Sequence, residues 1–411
     1  MSEFLDRMVE MQSARLKRAG IVRCLLEARD FSYVRLHSPR NTYYYEEKYR
    51  KGIFMQENTN TVKKWTWNWN SLSVYRSELM GIAIIIIMLF HSRDIDLIKK
   101  DEIIGSSILY KLILDGNSGV DIFLFLSGMG LFFAWHKRKS LFAYYKKRIL
   151  RILPTYFIIS GIYWYFRMIK VETFHTQAEW VQKWFCNVSC YTWIEDNDRT
   201  YWYIPFLIIL YLVSPIVITL FSQGRLIRYT TLIIILLGSF YALDALMGTE
   251  YYGIYEIAIG RIPSFVFGCF IGSWVKEKRP MNKKWGFVIL AGLLVRIISK
   301  EIIAADESLV MVQRIDDFWV GMAICMCGCF LISSLESEKV NSVLRWFGSK
   351  SLELYLLHIG YRNLVFTYYQ EDLEKNVWQS IMIYLLMLAV TCFTAAVIGW
   401  IKKLCKNGYR S

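Results

Sequence analysis

The chain has 411 residues, of which 55% are hydrophobic and 16% aromatic, with a formal charge of +14. Six prolines and 20% charged residues exclude a disordered chain, and apolar runs of membrane-spanning length recur from residue 78 onward, which a soluble domain does not show. The basic residues sit in short clusters between apolar runs, where they act as topology signals and touch lipid head groups rather than forming a nucleic-acid stripe.

Residues 1–70 are polar and basic and contain no spanning segment; residues 5–29 can form a short amphipathic helix. Arg50-Lys51-Gly52 can be encoded by a purine-rich stretch like a ribosome-binding site, and Ile53-Phe54 then gives a short spacer before Met55. The segment is therefore either a start-site artefact ahead of Met55 or a genuine cytoplasmic tail. The first apolar stretch opens near residue 79, so no cleavable signal peptide is expected.

From residue 71 the pattern predicts one all-α domain, a bundle of about ten transmembrane helices. The spans fall at about 77–92, 118–135, 152–168, 202–221, 226–246, 255–275, 285–300, 318–335, 351–369 and 377–401. Some are short, as expected of helices flanking a water-filled site. The even-numbered loops are basic: Lys137, Arg138, Lys146, Lys147, Arg148 and Arg151 in the second, Arg225 and Arg228 in the fourth, Lys276, Lys278 and Arg279 in the sixth. The odd loops are acidic, with Asp94, Asp96 and Asp101 in the first and Glu195, Asp196 and Asp198 in the third. Basic loops lie inside, so both termini are expected in the cytoplasm. No internal repeat and no soluble catalytic domain is evident.

The nine cysteines follow no zinc or haem spacing, and no metal is expected. Cys325, Cys327 and Cys329 read as small packing residues, while Cys186 and Cys190 lie in a polar loop where a disulfide or free thiols are both open.

His91 ends the apolar run Ile84–Phe90. An ionisable residue at such a place is a functional candidate, because its desolvation is costly, and a near-neutral imidazole suits a general base. The alternative is an interfacial histidine that only caps the helix. Asp121, in the run Gly119–Gly128, enters the membrane from the same side. A carboxylate beside an imidazole fixes its tautomer; alternatively, Asp121 is a helix-start acid favoured by the macrodipole. Arg148 and Arg151, three apart before Pro154, share one face and can grip phosphates of a cytoplasmic donor, or serve as a positive-inside anchor. Pro154 is expected in the first turn of its helix. Glu353 and His358, in the ninth span, either line the site or pair within the bundle. Arg261 and Glu256 are expected to neutralise each other, and Arg296 to snorkel.

Five runs occur in order: His91 closing the first span, GVDIFLFLSG at 119–128, RILRILP at 148–154, Trp202-Tyr203-Ile204-Pro205-Phe206-Leu207, and the run Ser351–His358. Together, over about residues 74–400, they resemble the acyltransferase-3 family of bacterial multi-pass membrane O-acyltransferases. The resemblance implies transfer of an acyl group, commonly acetyl, from cytoplasmic acyl-CoA to a hydroxyl of an extracytoplasmic glycan or related acceptor. It implies a catalytic role for His91 and a lining role for Trp202 and Tyr203. One departure matters. The family commonly carries an arginine eleven residues before that histidine, where this chain has Met80. Arg76, one turn further back, faces roughly the same way as His91 and is the expected substitute.

The second reading is a transporter of a small metabolite or lipid-linked sugar, which should show internal repeats and paired broken helices. A sensor or membrane anchor ranks third, for want of an output domain. Trp180, Trp184, Tyr191 and Trp193 of the third loop are the expected sugar-stacking residues.

Overall fold

A computed structural model describes residues 68–408 except 93–112, 114, 139, 172–173, 283, 306–309 and 374–376. The readings of the N-terminal segment and Met55, and of the first acidic loop, fall outside these residues.

The described chain is helical. A short helix α1 (Asn70–Val74) leads into α2 (Arg76–Phe90), followed by a 3-10 turn (Asp115–Asn117), α3 (Ser118–His136) and α4 (Leu141–Val171). Two short helices, α5 (Gln177–Val188) and α6 (Tyr191–Glu195), precede α7 (Tyr203–Phe221) and α8 (Arg225–Leu246). Then come α9 (Tyr252–Ile259), α10 (Ile262–Lys276), α11 (Lys284–Ala305), α12 (Val310–Leu335), α13 (Glu338–Ser349), α14 (Ser351–Leu373) and α15 (Val377–Gly408).

Nine of the ten expected spans each coincide with one of these helices, and the sixth with two, α9 and α10. Among the described residues, seven stretches are long and apolar enough to cross a membrane, including Asp115–His136, Tyr203–Phe221 and Trp378–Cys405. The other three are α2, which has 15 residues, and α11 and α14, which carry charged and polar groups such as Arg296 and Glu353. Large apolar side chains on the outer faces, among them Phe157, Ile158, Leu237, Phe287 and Phe393, are exposed. A belt of this extent on a helical bundle is a lipid-facing surface.

Two spans differ from the sequence reading. Pro154 sits inside α4 rather than in a first turn, because the basic stretch before it continues the helix back to Leu141. The sixth span is broken at Gly260-Arg261 into α9 and α10, with Pro263 at the start of α10. Proline there supplies no N–H to the preceding turn, which favours the break. Arg261 is placed at the break and is buried.

Helices α3 and α10 pack through small residues: a Cβ on Gly128 would overlap the Phe265 carbonyl, and one on Gly268 the Phe125 carbonyl. Close backbone approach of this kind is the usual basis of helix association in lipid. Buried Glu78 on α2 bonds Arg345 on α13 at 3.0 Å, closing the contact between those helices.

The end of α10 carries an unusual cap. Lys278 N donates to Val275 O and Arg279 N to Trp274 O, the two bonds of a Schellman motif. Its left-handed residue is Lys278, with φ of 51°, where glycine is the usual occupant. A side chain in that conformation costs roughly 1 kcal/mol.

Candidate functional site

Helices α2 and α14 bring two histidines together. His91 caps the C-terminus of α2 and His358 lies in the buried middle of α14. His91 Nδ1 and His358 Nε2 are 2.9 Å apart, and the ring centroids 5.0 Å. His358 Nδ1 lies 3.0 Å from the Leu354 carbonyl. A carbonyl only accepts, so Nδ1 of His358 bears the hydrogen, and in the neutral ring Nε2 is the acceptor. His91 Nδ1 therefore donates, and neutral His91 carries its basic lone pair on Nε2.

Below the pair runs a cavity of about 280 Å³. Its walls include Arg76, Met80 and Ile87 of α2, Arg148 and Arg151 of α4, and Tyr203 and Tyr355. Ile87 precedes His91 by four residues and Tyr355 precedes His358 by three, so both histidines stand about one turn beyond the cavity on the same helix faces. The Tyr355 and His358 rings are 6.1 Å apart. Arg76 is roughly 22 Å from His91 along α2 at 1.5 Å per residue. The cavity thus joins the three arginines singled out in the sequence to the neighbourhood of the histidine pair. The arginine expected to replace the charge missing at Met80 lines the same space as Met80. Arg76 Nε donates to Leu126 O at 3.1 Å.

Asp121 is placed differently from the expectation. Ser264 Oγ donates to its Oδ1 at 2.5 Å, and Arg261 Nε is 3.6 Å from its Oδ2. The Arg261 guanidinium also stands 5.5 Å from the Trp202 ring. The depth of the helices accounts for this: Gly119 packs against Ala83 and Ile87, so Asp121 lies alongside the middle of α2, beneath His91. These contacts tie Asp121 to α10. Trp202, buried, belongs to this cluster, whereas its neighbour Tyr203 lines the cavity.

Glu353 is held by Lys402 of α15, whose Nζ lies 2.7 Å from both Glu353 Oε1 and Thr155 Oγ1. It ties α14, α15 and α4 together and does not line the cavity. Glu256, expected beside Arg261, pairs with Arg199 at 3.3 Å. Arg296 does not snorkel, for its Nη2 lies 2.7 Å from buried Asp317 and 3.5 Å from Asp115. Asp317, Ser264 and Lys402 carried no local sequence signal, because each acts through a partner on another helix.

On the far side of His358, a polar cleft of about 460 Å³ is lined by Arg167, Asp198, Thr200, Arg362 and Asn363. Arg362 is one helical turn beyond His358. Asn363 Nδ2 donates to the Tyr163 hydroxyl at 3.3 Å, and the Tyr163 hydroxyl also accepts from Arg167 at 2.7 Å. Of the third-loop aromatics, Trp180 and Trp184 stack on each other at 6.4 Å and Trp193 is buried against Tyr255, while Tyr191 is exposed. Cys186 and Cys190 are free thiols. Burial pushes the Cys190 thiol up to about 11, which makes it unreactive at neutral pH. Cys325 and Cys329 are buried, while Cys327 is exposed. Among the described residues no group of His, Cys, Asp and Glu could hold a metal ion.

Neither the curated proteins nor the solved structures compared with the chain gave a match. The family model of an acyltransferase domain, Acyl_transf_3, matches residues 79–400. That span covers most of the sequence and, apart from the first turn of α2 with Arg76, the helices that build the cavity, and the chain belongs to the acyltransferase-3 family of membrane acyltransferases.

Proposed function

We propose that the protein is an O-acyltransferase of a bacterial cell membrane, with both termini in the cytoplasm. It moves an acyl group, acetyl in the simplest case, from cytoplasmic acyl-CoA to a hydroxyl of an extracytoplasmic glycan or related acceptor. The observation that carries this reading is the cavity lined by Arg76, Arg148 and Arg151 at one end and reaching one turn from His91 at the other. Guanidinium groups suit the phosphates of the donor, and the apolar stretch between suits a thioester arm.

In this reading His91 is the general base. Its Nε2 takes the proton of the acceptor hydroxyl as that oxygen attacks the acyl carbonyl; the C–O bond forms, the C–S bond breaks, and the proton passes to the departing thiolate. His358 is a positioning residue, which fixes the tautomer and the ring plane of His91 through the 2.9 Å bond. Arg76 takes over the charge that Met80 does not supply. Asp121 supports the site from the α3–α10 contact, and the polar cleft around Arg362 and Asn363 receives the acceptor.

The test is transfer of label from acetyl-CoA in membranes holding the full chain. Thioester loss matched by label in a hydroxylated acceptor supports the reading. Export of a metabolite or sugar without thioester consumption overturns it in favour of a transporter.

A further inference from the structure

A second cavity, of about 880 Å³, lies at the basic end of the bundle. Arg76, His136, Lys137, Lys276 and Lys278 line it, and none of its described lining residues is acidic. Arg76 and Gly130 line both this cavity and the narrower one that leads toward the histidines. The guanidinium of Arg76 lies over Gly130, close enough that a Cβ there would stand 3.0 Å from its Nη2. Arg76 is therefore the partition between a wide basic vestibule and the inner cavity.

Two observations set the vestibule apart from basic residues that merely fix topology. Glu277, the acid between Lys276 and Lys278, is met elsewhere: Arg228 Nη1 is 2.8 Å from its Oε1 and Arg279 Nε 2.5 Å from its Oε2. Its charge is already met there. Lys278, moreover, occupies the left-handed position of the α10 cap, which glycine would fill without strain. A strained residue that lines a cavity points to a function for its side chain.

Resting on the acyl-CoA reading above, we propose that this vestibule binds the phosphorylated nucleotide half of the donor. Lys137, Lys276 and Lys278 face its phosphates, and the acyl-pantetheine arm passes Arg76 into the inner cavity. A compact ammonium is a point-charge phosphate binder, and the volume lies within the range of about 300–1,000 Å³ usual for ligand sites. Arg148 and Arg151 then border the arm and the pyrophosphate end rather than the nucleotide.

The experiment compares acetyl-CoA, acetyl-dephospho-CoA and acetyl-pantetheine as donors to the full-length protein in membranes. Wild type should show a KM for acetyl-pantetheine about tenfold or more above that for acetyl-CoA, the size expected of charged hydrogen bonds. In Lys278→Gly, and further in Lys276→Gln/Lys278→Gly, that ratio should shrink toward one through a rise in the acetyl-CoA KM. Lys278→Gly places glycine where the cap favours it, so misfolding does not explain the change. An unaltered ratio overturns the proposal. If wild type uses no donor at all, the acyltransfer reading from acyl-CoA fails instead. The vestibule is then judged by retention of labelled CoA, which should weaken about tenfold in Lys278→Gly; unchanged retention overturns it.

Discussion

Two buried polar clusters flank the middle of the bundle, and they close in different ways. Asp121, Ser264 and Arg261 set a carboxylate against a hydroxyl and a guanidinium, all buried, across the α3–α10 contact. Charge meets charge, and the helix break at Gly260-Arg261 is anchored by it. The other cluster runs from the Leu354 carbonyl through His358 to His91, one helical turn from a cavity. Each of its links has a defined donor and acceptor. A self-compensating pair fixes the position of helices, because losing one partner strands a charge. A hydrogen-bonded chain of this kind holds an imidazole in one tautomer, as the proposed base requires.

The sharpest way to break this comparison is His91→Ala. It should lower acyl transfer by about a hundredfold to ten-thousandfold at unchanged membrane abundance, measured as label transferred per mole of inserted protein.

Asp121→Ala should do the reverse. Stranding Arg261 should destabilise the fold by roughly 3–5 kcal/mol, read as a lowered melting transition and reduced accumulation. A full loss of turnover in a variant that melts normally would move Asp121 into the catalytic group.

His358 separates position from chemistry. His358→Leu should reduce kcat by about tenfold to a hundredfold, less than the roughly hundredfold to ten-thousandfold cost of losing the base itself, with little change in KM. His358→Gln offers an acceptor near the place of Nε2 and should recover part of that loss. Equal kcat in both variants would deny the orienting bond.

The smallest effect on turnover is expected at Lys402, whose side chain is 47% exposed while that of its partner Glu353 is 9% exposed. Lys402→Met should lower the melting transition, because it takes the ammonium from a buried carboxylate, and should leave turnover per folded protein intact.

The bundle was legible because bilayer thickness imposes a length on every apolar run, which is why all ten spans coincide with helices. His91, Arg148, Arg151 and Arg76 could be singled out as candidates for a related reason: ionisable residues bounding apolar runs are few, and helical spacing says which share a face. What the sequence hid was pairing. Arg296 meets Asp317 from a neighbouring helix, and Arg261 meets Asp121 across 140 positions of chain. Proximity in sequence drew attention to Glu256, which meets Arg199 across 57 positions. Helix depth, set by where glycines let backbones touch, moved Asp121 below His91, and no spacing rule reports that depth. The vestibule is hidden for the same reason, since Lys137 and Lys278 come from two loops that separately read as topology signals.

The central claim is that a base at the His91 end acts on an acyl group supplied from the Arg76 end. Its most direct test is vectorial transfer. Proteoliposomes holding oriented full-length protein receive labelled acetyl-CoA on the face bearing the basic loops and a hydroxylated glycan on the other. The account predicts label in the glycan with wild type and a loss of about a hundredfold or more with His91→Ala. Labelling of the glycan at the wild-type rate by His91→Ala, or only when donor and glycan share one face, would contradict it.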